Sequence, residues 1–367
     1  MFILTGSLLR YIISIEEFFK EMLGMKKFSY KDKPIKVYGI PFFEEHKKFQ
    51  RLPDDLLEIL QNKLPYFPRV GRRCPGARLC FRTNSVNFKI EIEMETLTQD
   101  IGMSLFACQS AHVLIGDRKT ARFLGLVAPT GYNNLVFEKS FSKSGEMEDI
   151  TVFLPTADVI KNVEVSIDDN AEIEAPTPYK YSTPVVFYGS SITEGAACSR
   201  PTNAYSAALS NRLDFDYFNI GFSGGAKGTL EVADFINTLE KSVFVLDYDH
   251  NAPSVEHLEA THEAFFKRIR EKNPDLPIIM MTSPDFDYAS DKAARREVVR
   301  RTYENAKNNG DKNVYFIDGE TFFGDKDRHA CTSDTCHPND LGAYRMTEVI
   351  EPIMKMALES TVKANKN

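Results

Sequence analysis

The sequence has little that would mark a nucleic-acid-binding, membrane-spanning or disulfide-stabilised protein. It carries 45 Lys and Arg against 52 Asp and Glu, a formal net charge of −7, so it lacks the basic surplus that nucleic acid or an anionic membrane would favour. Six cysteines in 367 residues do not make a disulfide framework. No low-complexity tract interrupts the chain. We therefore expect a globular protein whose partners include neither nucleic acid nor a membrane.

The N-terminal segment lacks the features of a targeting signal. Residues 1–24 are apolar in patches, but they have neither a basic n-region nor a small-residue cleavage site. Arg10 and the pair Glu16 and Glu17 interrupt the apolar run well short of a membrane span. We expect a short amphipathic helix here, or an extension ahead of a start near Met25, and a cytoplasmic protein.

The remaining chain divides into two halves with different hydrophobic patterns. After an N-terminal helical or irregular extension over residues 1–55, short alternating runs such as NFKIEIEM and DITVFLPT occur between turn clusters over residues 56–175. This pattern predicts an all-β, jelly-roll-like sandwich of antiparallel strands. The segment 171–184 contains three prolines and no strong periodicity, which indicates a linker.

Over residues 184–362, compact apolar runs alternate with helical patterns. The strand-like runs are PVVFYG, DYFNIGF, SVFVLDY, LPIIMMTS and NVYFIDG. Five such strands, each followed by a helix, predict an α/β domain with a five-stranded parallel, flavodoxin-like sheet. Ligands bind such sheets beyond the carboxyl ends of the strands, and the polar motifs of this half lie there.

Two serines are candidates for a nucleophile. The run from Gly221 to Gly225 fits the G-x-S-x-G pattern of many esterases, with Ser223 at its centre. Ser191, in GSSITEG, directly follows the first strand, where the next turn could supply N–H donors to an oxyanion. Asp334 precedes His337 by three residues and can therefore hydrogen-bond the imidazole ring. A serine at the first strand suits this pair better than Ser223 does.

Two further groups are candidate oxyanion donors. The backbone N–H of Gly224 follows the second strand, and the side-chain amide of Asn251 follows the third. A calcium loop around Asn251 is excluded, because Ala252 and Leu258 stand where that loop needs Gly and Glu. His250 could be a second base, but a structural histidine is the better interpretation.

A metal site or a phosphate-binding loop has less support. Zinc ligands could come from Cys331, Cys336, His337 and His329, but no second ligand pair with zinc spacing exists elsewhere. The glycine-rich patterns of nucleotide-binding loops are absent from the sequence. We therefore predict no cofactor and no metal.

The motif blocks GSSITEG, NIGFSGGAKG, LDYDHNA and DTCHPN resemble, in order and position, the GDSL/SGNH hydrolase family of esterases and deacetylases over residues 184–360. The resemblance implies that Ser191 is the nucleophile, His337 the base and Asp334 the residue that orients it. It also implies oxyanion donors at Ser191, Gly224 and Asn251. The expected reaction passes through an acyl-enzyme.

The first half adds a second resemblance. RLPDDL and PGARLCFRTNS are similar to the β domain that precedes the hydrolase in one subgroup, and carbohydrate esterase family two is a related two-domain pattern. This implies acetylated oligosaccharides, such as those from xylan or mannan, as substrates. Arg200 and Tyr205 are candidates for contacting them. The chain departs from the family at Ser190, where Asp is usual, and at SAHVLI, which lacks a small-Asp-Leu-Tyr stretch.

Two other functions stay open at this point. One is a hydrolase of lipid or short-chain acyl esters, similar to lipases or platelet-activating-factor acetylhydrolases. The other is a carbohydrate-binding protein whose hydrolase half is vestigial. A homo-oligomer is compatible with either.

Overall fold

The computed structural model describes residues 24–63, 70–99, 103–284, 287 and 290–364. The expected N-terminal helix falls on residues outside these ranges. The strands are β1 Met25–Ser29, β2 Lys36–Tyr38, β3 Arg78–Thr83, β4 Asn87–Met94, β5 Ala111–Ile115, β6 Arg122–Val127, β7 Val136–Ser142, β8 Glu148–Phe153, β9 Ile160–Asp168, β10 Ile173–Glu174, β11 Tyr181–Gly189, β12 Phe215–Gly221, β13 Val243–Asp247, β14 Ile278–Met281 and β15 Val314–Ile317. The helices are α1 Phe43–His46, α2 Asp54–Lys63, α3 Leu105–Gln109, α4 Ser191–Glu194, α5 Tyr205–Leu213, α6 Leu230–Thr238, α7 Val255–Lys272, α8 Lys292–Asn308 and α9 Asp340–Ala364.

The first half folds into two antiparallel sheets that enclose an apolar core. One sheet has the order β1-β9-β4-β7, and the other has the order β10-β3-β8-β5-β6, with β2 paired to β3. The core forms because the strands have one apolar face. In strand β4, for example, side chains alternate between partly exposed and buried, so Phe88, Ile90 and Ile92 all face the core. The predicted sandwich is confirmed.

Two predicted boundaries in this half need correction. The predicted extension over residues 1–55 contributes β1, which pairs with β9, and β2, which pairs with β3, so the sandwich begins at Met25 rather than at residue 56. The predicted linker over residues 171–184 contributes Ile173–Glu174 to β10 and the first residues of β11. β1, β2 and β10 were missed because they are only five, three and two residues long, too short to show an alternating pattern.

The second half is a five-stranded parallel sheet with the order β12-β11-β13-β14-β15. This order is the flavodoxin-like one, and it confirms the predicted fold. The central strands are buried on both faces, as their continuous apolar sequences require; all five residues of β13 are buried, for example. Helices cover the two faces, and the strands end at one edge, where the candidate residues lie.

Buried arginines join the two halves. Arg78 of β3 is fully buried, pairs with Asp216 of β12, and lies with its guanidinium carbon 4.2 Å from the ring centre of Tyr217. Burial raises the pKa of Asp216 to about 6, and Arg78 opposes that shift. Arg118 adds a bond from Nη1 to the Oδ1 atom of Asp214, at 3.1 Å.

Candidate active site

Ser191 is held at the end of β11 by a tight turn. It is the first residue of α4, and Ser190 caps that helix, because the Ser190 Oγ accepts the Ile192 N–H at 3.1 Å. The turn requires glycine at position 189, since a Cβ there would lie 2.1 Å from the carbonyl oxygen of Asp247. The family's usual Asp is thus replaced by a residue that still caps the helix.

The structure brings Ser191, His337 and Asp334 into one chain of hydrogen bonds. Ser191 Oγ lies 2.8 Å from His337 Nε2, and His337 Nδ1 lies 2.6 Å from Asp334 Oδ2. Asp334 also accepts the backbone N–H groups of Cys336, at 3.1 Å, and of His337, at 2.7 Å. Burial raises the pKa of Asp334, but these bonds outweigh it and hold the pKa below its ordinary value. The carboxylate therefore stays charged and orients the imidazole ring.

A residue with left-handed backbone conformation between Asp334 and His337 makes their contact possible. Thr335 has φ of 67°, which turns the backbone so that residues 334 and 337 face each other. The Ser333 N–H donates to the His337 carbonyl at 3.0 Å and closes the turn. The catalytic roles of Ser191, His337 and Asp334 stay a prediction, but their geometry is the one that those roles require.

A second polar chain, which the sequence did not reveal, reaches the same histidine. Cys336 Sγ lies 3.1 Å from His250 Nε2, and Lys292 Nζ lies 3.1 Å from His250 Nδ1. Because an ammonium group only donates, a neutral His250 carries its proton on Nε2 and donates it to Cys336. Burial raises the pKa of the Cys336 thiol, but bonds with His250 and His337 outweigh it and lower the pKa to about 7.

The Cys336 thiol also changes His337. The hydrogen bond with Cys336 is the largest of the effects that raise the pKa of His337 to about 9; burial opposes it, and Asp334 adds to it. Asp334, Cys336 and His337 are the group of possible metal ligands among the described residues, with ligand atoms within 4.8 Å of one another. Cys331, which the zinc alternative needs, instead contacts the Asp327 carbonyl at 3.8 Å.

The two candidate oxyanion donors lie on neighbouring loops that hydrogen-bond each other. Gly224 has φ of 66°, which favours glycine, in a turn closed by a 2.8 Å bond from the Gly225 N–H to the Phe222 carbonyl. Asn251 is 8% exposed, and its Oδ1 accepts the Ala226 N–H at 3.4 Å. Since this bond fixes which end of the amide is the oxygen, Nδ2 is left as the donor end.

Ser223, the rival nucleophile, has a different partner. Its hydroxyl donates to the carboxylate of Glu194 at the end of α4. The G-x-S-x-G match lies in a loop beside the site, and the choice of Ser191 rather than Ser223 as the nucleophile stays a prediction.

The two residues predicted to contact the substrate, Tyr205 and Arg200, differ in their exposure. The prediction for Tyr205 is wrong: its side chain is 1% exposed, and its hydroxyl donates to Asp247 Oδ2 at 2.8 Å. It packs in the core because α5 turns that face toward the sheet. Arg200 is half-buried, with its guanidinium carbon 4.7 Å from the ring centre of Phe123 on β6, and its contact with a substrate stays a prediction.

Two models of known protein families match the chain. Residues 182–355 match the family model of the GDSL-like lipase/acylhydrolase family, and residues 26–173 match that of the N-terminus of SGNH-hydrolase-type esterases, named GxDLY. The second match occurs although SAHVLI lacks that motif's Asp-Leu-Tyr. No curated protein matched the chain.

Solved structures share the two-domain fold. A protein described as a GDSL-like lipase, from Bacteroides ovatus, is 26% identical over 92% of this chain and 98% of that chain, with a TM-score of 0.80. The salicylyl-acyltransferase SsfX3 of a tetracycline biosynthetic pathway is 20% identical over 90% and 97%, with a TM-score of 0.74. An acetyl xylan esterase from the rumen bacterium Butyrivibrio proteoclasticus is 14% identical over 91% and 99%, with a TM-score of 0.57.

The fold and the serine–histidine–aspartate geometry are those of serine-dependent ester hydrolases. By these matches, residues 182–355 form a domain of the GDSL-like lipase/acylhydrolase family, and residues 26–173 form the N-terminal domain of SGNH-hydrolase-type esterases. Within the part of the chain that the structure describes, no helix has the length and apolar character needed to cross a membrane.

Proposed function

We propose that the protein is a serine esterase that removes acetyl groups from carbohydrates, with acetylated oligosaccharides as its substrates. The observation that carries the proposal is the hydrogen-bond chain from Ser191 through His337 to Asp334. The similarity of the fold to that of an acetyl xylan esterase supports the choice of acyl group and substrate class.

The proposed reaction begins when neutral His337 takes the proton of Ser191 and the serine oxygen attacks the ester carbonyl. Asp334 stabilises the imidazolium ion that forms. The N–H groups of Ser191 and Gly224 and the Asn251 amide donate to the oxyanion. His337 then gives its proton to the leaving sugar hydroxyl. Water, activated by the same histidine, cleaves the acyl-enzyme and releases acetate.

The carbohydrate-binding alternative has less support from the sandwich. Across the strands of the four-stranded sheet, exposed charges pair with one another: Lys89 with Glu138 at 2.7 Å, Lys161 with Glu93 at 2.5 Å, and Lys27 with Glu164. Such a face is well hydrated, and its exposed apolar side chains, Met25 and Val136, are not aromatic rings on which a sugar could stack.

The test is acetate release from acetylated xylo- and manno-oligosaccharides, with p-nitrophenyl acetate and octanoate as simpler substrates. Ser191→Ala should lower turnover to the background rate, a loss of roughly four orders of magnitude or more. A fluorophosphonate should label the peptide that contains Ser191, and Ser223→Ala should keep that label. Full activity of Ser191→Ala would refute the proposed nucleophile.

The same assays separate the alternatives. Faster cleavage of octanoyl than of acetyl esters would indicate a lipid substrate, and binding of oligosaccharides without turnover would indicate a binding protein. Because a neighbour with this fold is an acyltransferase, the products should be examined for acetyl transfer to an added alcohol as well as to water. A cytoplasmic location stays a prediction that cell fractionation can test.

A further inference from the structure

Arg51, in the segment between α1 and α2, reaches from the N-terminal half into the loop beside the active site. Its side chain is 1% exposed. Nη1 donates to the carbonyl oxygens of Asn219, at 2.9 Å, and Gly221, at 2.6 Å, which lie at the end of β12. Nη2 donates to the Val70 carbonyl at 2.9 Å and to Glu194 Oε1 at 3.2 Å. One guanidinium thus connects the first half, the end of β12 and the helix that begins at Ser191.

Glu194 connects the same guanidinium to the next residues of the loop. It is buried, and it accepts hydrogen bonds from both Arg51 and the Ser223 hydroxyl. The guanidinium carbon of Arg51 also lies 4.7 Å from the ring centre of Phe222. Burial lowers the pKa of Arg51, and the Glu194 carboxylate opposes that shift and so favours the charged guanidinium.

The loop that Arg51 holds packs tightly against the turn that carries Ser191. A Cβ at Gly221 would lie 2.9 Å from the Ser190 carbonyl oxygen and from the Glu194 nitrogen. The Phe222 N–H donates to the Gly189 carbonyl at 2.8 Å. A shift of the 219–223 backbone is therefore transmitted to Gly224, which follows directly.

We propose that Arg51 is a positioning residue for the oxyanion-binding loop, so that the N-terminal half takes part in catalysis by fixing where the Gly224 N–H lies. The proposal rests on the proposed esterase function. Oxyanion donors act because they are preorganised, and a misplacement of about 1 Å can cost about 100-fold in rate. A planar guanidinium suits the task, since its fixed fork of donors reaches three carbonyls and a carboxylate at once.

The first test is Arg51→Lys, which keeps the charge and loses the fork. We expect kcat per active site, titrated with a fluorophosphonate, to fall about tenfold or more, while KM changes less than about threefold. The inhibition constant of a boronic acid that mimics the tetrahedral intermediate should rise by the same factor as kcat/KM falls. Arg72→Lys is the matched control, because Arg72 is exposed and makes a similar two-bond contact, with Glu95; it should behave as the wild type.

A second variant covers the case in which Arg51→Lys does not fold. Glu194→Gln keeps the side-chain shape but removes the charge, and it should lower kcat in the same direction with KM little changed. A merely structural role would lower the melting temperature and leave kcat per titrated site unchanged. That result, or unfolding of both variants, would overturn the proposal. A wild type that cleaves no ester would instead refute the proposed function, which the wild-type assay shows before any variant is made.

Discussion

Replacing Cys336 with Ser should make the enzyme more active at neutral pH, because the thiol helps to keep His337 protonated. The hydrogen bond with Cys336 is the largest effect that raises the pKa of His337 to about 9. A protonated imidazole cannot take the proton of Ser191. With that pKa, only about 1% of the wild-type molecules carry a neutral His337 at pH 7.

The size of the change follows from the same relation. Serine keeps a small polar side chain at position 336 but does not become an anion, so the ring loses one of the two neighbours that favour its charged form and keeps the other, Asp334. If the pKa of His337 falls by about one unit, the neutral fraction at pH 7 rises about tenfold, and kcat/KM should rise by the same factor. The gain should shrink as the pH rises through about 9 and disappear at about pH 10, where His337 is mostly neutral in both proteins.

The measurement is the pH profile of kcat/KM for p-nitrophenyl acetate between about pH 6 and 10, with each variant checked for stability over that range. Cys80→Ser is the matched control, because Cys80 is buried in the sandwich, where Thr151 Oγ1 lies 3.9 Å from its sulfur. Coincident profiles of Cys336→Ser and the wild type would refute the reasoning. A rising limb centred near pH 6.5 in the wild type would do so too.

Two further predictions concern the oxyanion and the contact between the halves. Asn251→Ala should lower kcat about 100-fold with little change in KM, measured by steady-state kinetics, because one oxyanion donor is lost; a loss below about threefold would exclude Asn251 from that role. Asp216→Ala should lower the free energy of unfolding by about 3–5 kcal/mol, measured by denaturant titration, because Arg78 keeps a buried charge without its carboxylate. A change below about 1 kcal/mol would show that water or another group replaces Asp216.

The sequence was sufficient for the parts of the site that are local in the chain. Ser191 directly follows an apolar strand, so its place at the carboxyl edge of a parallel sheet could be predicted. Asp334 and His337 are three residues apart, so their contact could be predicted from spacing alone. The parallel sheet itself was predictable, because buried strands have continuous apolar sequences.

Contacts between distant residues could not be predicted in this way. Arg51 and Gly221 are 170 residues apart, and Cys336 and His250 are 86 apart, so no local pattern joins them. Strand β1, with the sequence MKKFS, shows no alternation and is recognisable only by its pairing with β9. Tyr205 was misassigned because a tyrosine near a motif can face the core as easily as a ligand.

The buried arginines between the two halves limit how this architecture can be recombined. Arg51 and Arg78 lie in the first half, while Glu194 and Asp216 lie in the second. A chimera that joins this hydrolase half to a relative's β domain would need a guanidinium at the positions of Arg51 and Arg78. Without them, the carboxylates of Glu194 and Asp216 would be buried without these counterions. Exchange of domains between such enzymes should therefore succeed only where the incoming β domain carries both arginines.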